Sequence, residues 1–79
     1  MKVRVQYYAV FREERGLGSE DLETRAVTIS ELYEELRAEH GFRLPVSFVR
    51  AAVNAEFVPM DARLKDGDAV AFIPPVAGG

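Results

Sequence analysis

One strongly amphipathic segment constrains the fold of this chain more than any other feature. Four apolar side chains recur at i, i+3, i+4 and i+7, on one stripe of an α-helix: Ile29, Leu32, Tyr33 and Leu36. Thr28 and Glu31 have the spacing of a capping box at the start of this helix, and Gly41 is suited to end it. The pattern predicts a helix over residues 29–40. Because a helix with one apolar stripe covers one face of one sheet, the rest of the chain is expected to supply that sheet.

Alternation of apolar and polar residues predicts strands on both sides of the helix. The alternation is clearest near the two ends of the chain and weakest just before the helix, and the predicted strands cover residues 2–9, about 22–28, 49–54, 57–58 and 69–73. Pro59 limits the fourth strand, since proline cannot donate a hydrogen bond to a neighbouring strand. The charged, glycine-containing segment 11–18 is predicted to be a loop, with room for one helical turn near residues 11–15.

The order of these elements predicts an α+β fold of the β-grasp class, which is the fold of ubiquitin. In this fold a mixed sheet of four to five strands wraps around one main helix. The first and last strands carry the strongest apolar alternation, which suits central positions in the sheet. We therefore expect one β-grasp domain over residues 1–73, followed by an extended C-terminal tail over residues 74–79.

The tail, PPVAGG, is suited to reach into a site on another protein. Pro74 and Pro75 fix the backbone in an extended form and cannot continue a strand. In polyproline geometry a segment of this length spans roughly 19 Å. Gly78 and Gly79 lack side chains, so they fit a narrow channel and adopt backbone angles that are closed to other residues. The pattern predicts a tail that delivers the terminal carboxylate of Gly79 to another protein.

A carboxylate is a poor electrophile, so Gly79 needs activation before it reacts, most simply as an acyl-adenylate made from ATP. Neither a G-x-x-x-x-G-K-[ST] nor a G-x-G-x-x-G motif occurs in the sequence. We therefore expect no bound cofactor, and we expect a separate activating enzyme to use the ATP. An activated Gly79 could receive an amine, as in ubiquitin-type conjugation, or sulfide, which would give a thiocarboxylate. The residues alone leave both reactions open.

Composition argues against several other classes of protein. The chain has 79 residues, no cysteine and one histidine, so thiolate chemistry and metal sites built from cysteine or histidine are not expected. A net charge of −3, with basic and acidic residues interleaved, gives no basic face for nucleic acid. The sequence shows no apolar run of the kind found in signal peptides or membrane spans. We therefore expect a cytoplasmic protein that binds neither nucleic acid nor membrane.

Three stretches together resemble the small subunit of molybdopterin synthase, a family of ubiquitin-like sulfur carriers. They are AAVN at residues 51–54, LKDGD at 64–68 and VAFIPPVAGG at 70–79, and the early YYAVFRE at 7–13 fits as well. The F-x-P-P-V-x-G-G ending is the most specific of these, because the D-G-D turn and the final glycines are shared with other sulfur carriers. Ile73 stands where members of the family often carry an aromatic residue, which is a conservative departure.

The resemblance implies a mechanism and a set of partners. A ubiquitin-activating-type adenylyltransferase would adenylate Gly79, which then becomes a thiocarboxylate. The tail would enter the large subunit of the synthase and donate sulfur to a cyclic pyranopterin precursor, forming the dithiolene of molybdenum cofactor. Gly79 would carry the sulfur and Gly78 would thread the channel, while four residues would line the docking path: Pro74, Pro75, Val76 and Ala77. The chain would be a non-catalytic, sulfur-donating subunit of a heterotetramer, with two small subunits flanking a dimer of large ones.

A single helix leaves the other face of the sheet bare, and a contiguous exposed apolar patch usually marks an interface. The residues predicted for this patch are Phe57, Phe72, Ile73 and Val76, of which Phe72 is also the strongest candidate for the core. We expect both the activating enzyme and the large subunit to bind there. Three functions stay open: a sulfur carrier for molybdopterin, a related carrier for thiamin thiazole or for thiolated transfer RNA, and a protein modifier conjugated through Gly79 to lysine. The P-P-V-x-G-G ending favours the first.

Overall fold

A computed structural model describes residues 1–75 of the chain, and in this part it contains five strands and two α-helices. The elements, in chain order, are β1 (Lys2–Tyr7), α1 (Ala9–Arg15), β2 (Ser19–Glu23), α2 (Ile29–His40), a 3-10 turn (Val46–Phe48), β3 (Arg50–Val53), β4 (Glu56–Val58) and β5 (Ala69–Ile73). The strands form one mixed sheet in the order β2-β1-β5-β3-β4. Only the β1–β5 pair is parallel among the described strand pairs. The predicted β-grasp fold is confirmed, with the first and last strands side by side in the interior of the sheet.

Helix α2 begins and ends where the sequence predicts. The Thr28 hydroxyl accepts a hydrogen bond from the Glu31 N–H at 3.2 Å and donates to the Glu31 carboxylate at 3.2 Å. At the other end, Gly41 takes a left-handed conformation with a φ of 73°, and its N–H donates to the carbonyl of Arg37. The four predicted stripe residues are all buried against the sheet. Capping therefore determines where α2 begins and ends, and burial of the apolar stripe holds the helix against the sheet.

The core lies between α2 and one face of the sheet and is rich in aromatic rings. The Phe11 and Phe42 rings meet edge to face at 5.3 Å between centroids, and Tyr33 meets Phe72 in the same way at 5.4 Å. Phe72 is completely buried, so its expected place on the exposed patch is wrong. Successive side chains of a strand point to opposite faces. On β5, Val70 and Phe72 point toward α2, so its other residues point away.

Two segments near the N-terminus differ from the sequence prediction. Residues 9–15 form a helix of 7 residues, α1, where a loop with one helical turn was predicted. Phe11 is fully buried in the core, which anchors this short helix. Consequently β1 ends at Tyr7, two residues earlier than predicted. Helix α1 begins at Ala9, which has an unusual positive φ of 50°.

The second strand lies earlier in the chain than predicted, at residues 19–23. Its register is set by pairing with β1, where Leu22 lies opposite Val3 and Glu20 opposite Val5. The strand ends because the Thr24 side chain accepts a hydrogen bond from the N–H of Ala26 at 3.0 Å, which turns the chain toward α2. As an edge strand with charged residues on both faces, β2 carries little apolar alternation of its own.

The last four residues, Val76, Ala77, Gly78 and Gly79, lie outside the described residues, so the roles predicted for them stay predictions. The division into a domain over residues 1–73 and a tail also stays a prediction. No helix of residues 1–75 has both the length and the apolar character that crossing a membrane requires. In the same residues, His, Asp and Glu side chains form no group of three or more that could hold a metal ion.

Candidate docking site beside the C-terminal strand

The tail leaves the domain from the middle strand of the sheet. Strand β5 lies between β1 and β3, and its last residue, Ile73, is paired with Arg50 of β3. Pro74 is half-buried and Pro75 is exposed. Neither proline can donate a hydrogen bond, and both neighbouring strands stop at the same level, because β1 ends at Tyr7 and β3 begins at Arg50. The β ladder therefore ends at Ile73. The tail therefore begins at the end of an interior strand, and a partner that holds its first residues must also approach the sheet.

The sheet face opposite α2 is lined by short alanine side chains. Ala52 and Ala71 are direct neighbours across the β3–β5 pair, and Ala69 precedes them on the same face of β5. Because these side chains are short, the face is recessed between larger neighbours and forms an open groove of about 1150 Å³. This feature, which we call the alanine groove, continues past the end of the sheet to α1 and to Pro74 and Pro75. The recess therefore lies at the root of the tail.

Exposed apolar side chains stand at the edges of this face. Phe57 of β4 lies opposite Ala52, and 72% of its surface is exposed. Tyr8, which lines the alanine groove, is 49% exposed, and Ile73 is half-buried in the lining. The structure thus places two of the predicted interface residues, Phe57 and Ile73, on the bare face. It places Phe72 on the opposite face, and contact with a partner stays a prediction for all of them.

The D-G-D turn fixes the beginning of β5 against β1. Gly67 has a φ of 87°, and its N–H donates to the Lys2 carbonyl at 2.7 Å. The Asp66 carboxylate accepts a hydrogen bond from the N–H of Lys2 at 2.8 Å, and Asp68 accepts one from the N–H of Lys65 at 2.8 Å. A side chain at Gly67 would be strained in this conformation. The motif therefore has a structural role at the end of β5 that is opposite to the tail.

A partly buried carboxylate in a segment that the sequence favours as a solvated loop also lines the alanine groove. Glu14 of α1 contributes to the lining with Arg43 and Pro75. Its Oε1 atom is buried and has no hydrogen-bond partner within residues 1–75. Its Oε2 atom lies 3.9 Å from Nε of Arg43, whose side chain is 92% exposed. The groove therefore has an apolar floor and a negative charge near the root of the tail.

Buried hydroxyl groups near this end of the domain have structural partners. The Tyr7 hydroxyl donates to Glu20 at 2.6 Å, and burial together with this carboxylate raises the pKa of Tyr7. The Tyr33 hydroxyl donates to the carbonyl of Leu44 at 2.6 Å, and burial raises the pKa of Tyr33 to about 12. Both phenols therefore stay protonated at neutral pH, which suits a structural role rather than proton transfer.

Residues 5–79 match the family described as the ThiS family. The chain belongs to the ThiS family. A curated relative of this ThiS-family chain, the molybdopterin synthase sulfur carrier subunit of Escherichia coli (strain K12), is 34% identical over 80 residues. The alignment covers 98% of this chain and 99% of that protein. The resemblance to sulfur carriers noted in the sequence is thereby confirmed across the whole chain.

Solved structures agree with this assignment. A putative molybdopterin converting factor, subunit 1, from Pyrococcus furiosus has a TM-score of 0.76 and 33% identity, covering 96% of this chain and 99% of that one. A solved complex of subunits 1 and 2 of molybdopterin-converting factor from Helicobacter pylori 26695 contains a chain with a TM-score of 0.68 and 26% identity to this one. That match covers 100% of both chains. The structural similarity therefore covers nearly the whole chain and is not confined to one part of the domain.

Proposed function

We propose that this protein is the sulfur carrier subunit of molybdopterin synthase. Gly79 is adenylated by a separate ATP-using enzyme, and a sulfide-level sulfur nucleophile then displaces AMP to form the C-terminal thiocarboxylate. The thiocarboxylate sulfur bonds to a cyclic pyranopterin precursor held by the large subunit. Water then hydrolyses the acyl–sulfur bond, which leaves the sulfur on the precursor and returns the terminus to a carboxylate. Repeated transfer supplies the two sulfur atoms of the dithiolene.

The observation that carries the proposal is the exit of the tail from the central strand beside a bare, recessed face. Pro74 and Pro75 follow β5 directly and line the alanine groove. A protein that covers this groove is placed at the root of the tail, and Gly79 follows Pro75 four residues later in the sequence. Stiff prolines lose little conformational entropy when such a tail docks. Full-length similarity to a protein named as a molybdopterin synthase sulfur carrier subunit supports the same assignment.

The activating enzyme and the large subunit are proposed as the two partners, and both are expected to use the alanine groove and Phe57. The exposed Phe57 ring and the alanine floor of the groove give a partner apolar surface to bind, and no core residue has to move. In the proposed assembly, two copies of this chain flank a dimer of large subunits. The complex of subunits 1 and 2 from Helicobacter pylori supports a partner of this kind.

Mass spectrometry of the intact protein tests the proposal directly. The chain is incubated with ATP, a sulfide source and the activating enzyme, and we expect one oxygen atom to be replaced by sulfur at the terminus. The large subunit and the pyranopterin precursor are then added, and we expect the dithiolene product with return of the original mass. Lysine adducts on other proteins, without exchange of oxygen for sulfur, would instead identify a protein modifier.

Deletion of Gly79 provides the control for this experiment. The shortened chain should gain no sulfur, because its terminal carboxylate would belong to Gly78 and would lie one residue short of the activating site. Its melting temperature should stay unchanged, since Gly79 lies beyond the last strand of the domain. Exchange that persists in the shortened chain would contradict the role assigned to Gly79.

A further inference from the structure

Glu14 stands out in the alanine groove because one of its carboxylate oxygens is buried without a partner. Only 19% of its side chain is exposed, and Oε1 has no hydrogen bond within residues 1–75. The nearby Tyr33 hydroxyl is already committed to the carbonyl of Leu44. Arg43 lies 3.9 Å from the other oxygen, which is too far for a direct hydrogen bond. A charged acceptor buried in this way destabilises the free protein.

The position of Glu14 on α1 adds to this cost. Helix α1 spans Ala9–Arg15, so Glu14 is the penultimate residue of the helix. The carbonyl end of a helix carries partial negative charge and disfavours an acidic side chain. Two independent features therefore make Glu14 unfavourable for folding, and both would be relieved by a cation that comes from outside the domain.

Glu14 is also in the right place to meet a partner. It lines the same groove as Pro74 and Pro75, the first residues of the tail. Any protein that holds the tail at its root would cover the groove and bring its own side chains toward this carboxylate. An apolar groove with one buried negative charge is complementary to a basic side chain with a long apolar stem, as in lysine or arginine.

We propose that Glu14 receives a lysine or arginine side chain of the large subunit when that subunit grips the tail. The inference rests on the proposed function, since it assigns the chemistry of one of the two partner surfaces. We assign the large subunit rather than the activating enzyme because the related chain from Helicobacter pylori was solved in complex with subunit 2 of its molybdopterin-converting factor. On binding, the basic side chain donates to Oε1 while Arg43 remains beside Oε2.

Two substitutions separate this role from a structural one. Glu14→Gln keeps the shape and removes the charge, and Glu14→Leu removes both the charge and the polar atoms. Each should weaken the complex with the large subunit about tenfold or more, because a charge-assisted hydrogen bond is lost. Each should also raise the melting temperature of the free chain, since a carboxylate whose buried Oε1 atom has no hydrogen bond loses its charge. A residue that merely stabilises the domain would change the melting temperature in the opposite direction.

The experiment is titration calorimetry with the purified large subunit and, in parallel, with the activating enzyme, together with thermal unfolding of each free variant. Glu34→Gln, an exposed glutamate on α2, is the matched control and should change neither quantity. Unchanged affinity for the large subunit, or weakening of the activating-enzyme complex alone, overturns this inference but leaves the proposed function intact. If the unaltered chain binds neither protein, the proposed function fails and the inference fails with it.

Discussion

Asn54 and Asp68 are joined side chain to side chain across two separate loops. Nδ2 of Asn54 donates to Oδ1 of Asp68 at 3.2 Å, while Oδ1 of Asn54 accepts a hydrogen bond from the N–H of Ala69 at 3.1 Å. Asp68 is only 8% exposed. The A-A-V-N and D-G-D stretches, which are far apart in the sequence, are thus one structural unit. It ties the β3–β4 turn to the start of β5, the strand that leads to the tail.

Replacement of Asn54 by alanine should therefore destabilise the domain. Two hydrogen bonds are lost, one oxygen of the buried Asp68 is left unpaired, and alanine must adopt the φ of 51° found at this position. We expect the free energy of unfolding to fall by about 2 kcal/mol, measured by urea denaturation. The chain has one other side-chain amide, Gln6, and Gln6→Ala should have little effect. Equal losses for the two variants would show that the amide bridge contributes nothing specific.

The residue after Asn54 offers a stabilising substitution. Ala55 has a φ of 72°, in the left-handed region that favours glycine. Ala55→Gly should raise the free energy of unfolding by up to about 1 kcal/mol through relief of this strain. The matched control is Ala38→Gly on the exposed side of α2, which should lower it by about 1 kcal/mol. Thermal unfolding distinguishes the two, and a loss of stability in both variants would contradict a strained turn.

The sequence predicted α2 and β5 well because local signals and tertiary packing agree in these elements. Thr28 and Gly41 define the ends of α2 in the sequence as they do in the structure. Strand β5 was predicted correctly, but the sequence did not decide whether Phe72 lies on its buried face or on its exposed face. Every residue of β5 is apolar, so alternation alone does not show which side faces the helix. The pairing of Phe72 with Tyr7, which is also buried, decides the question.

Only one turn of helix α1 was predicted from the local pattern, because tertiary contacts form the full helix. It has 7 residues, too few for an isolated helix to be stable in water, and it begins at Ala9 with a positive φ. Burial of Phe11 among the rings of the core holds it in place. For the same reason the burial of Glu14 was not predicted, since its side chain becomes enclosed only when α1 packs beside β1 and β5. A charged segment in the sequence gives no sign of such burial.

The three-residue cluster of Tyr7, Arg15 and Glu20 should give the domain a measurable pH dependence. Arg15 donates to both Glu20 oxygens, at 2.8 and 2.9 Å, and the Tyr7 hydroxyl donates at 2.6 Å. Chiefly through Arg15, and despite partial desolvation, these bonds hold the pKa of Glu20 below its ordinary value of 4.5. The ionised carboxylate thus favours the folded state at pH values above 4.5. That contribution is lost as the pH falls through the lowered pKa of the folded protein.

Glu20→Gln should accordingly reduce the free energy of unfolding by about 1–2 kcal/mol at neutral pH. The difference from the unaltered protein should shrink as the pH is lowered below 4.5, because Glu20 itself becomes neutral there. Tyr7→Phe keeps the ring and removes one donor, so it should give a smaller loss of the same kind. Urea denaturation at a series of pH values checks this, and a difference that stays constant from neutral to acidic pH would argue against the cluster.

Phe57 and Phe72 should respond to substitution in opposite ways, because the former is 72% exposed and the latter is fully buried. Phe57→Ser should leave the free energy of unfolding within about 0.5 kcal/mol of its original value. It should weaken binding to the large subunit and to the activating enzyme about tenfold or more, as loss of an exposed aromatic anchor does. Phe72→Ala should instead lower the free energy of unfolding by about 3–5 kcal/mol.

Val27 provides the control, since it is exposed and apolar but lies between β2 and α2, outside the lining of the alanine groove. Val27→Ser should leave both affinities unchanged. Calorimetry with each partner and thermal unfolding of each variant measure the two effects separately. If Phe57→Ser and Val27→Ser bind equally well, the partners do not use the bare face of the sheet, and docking must occur through the tail alone.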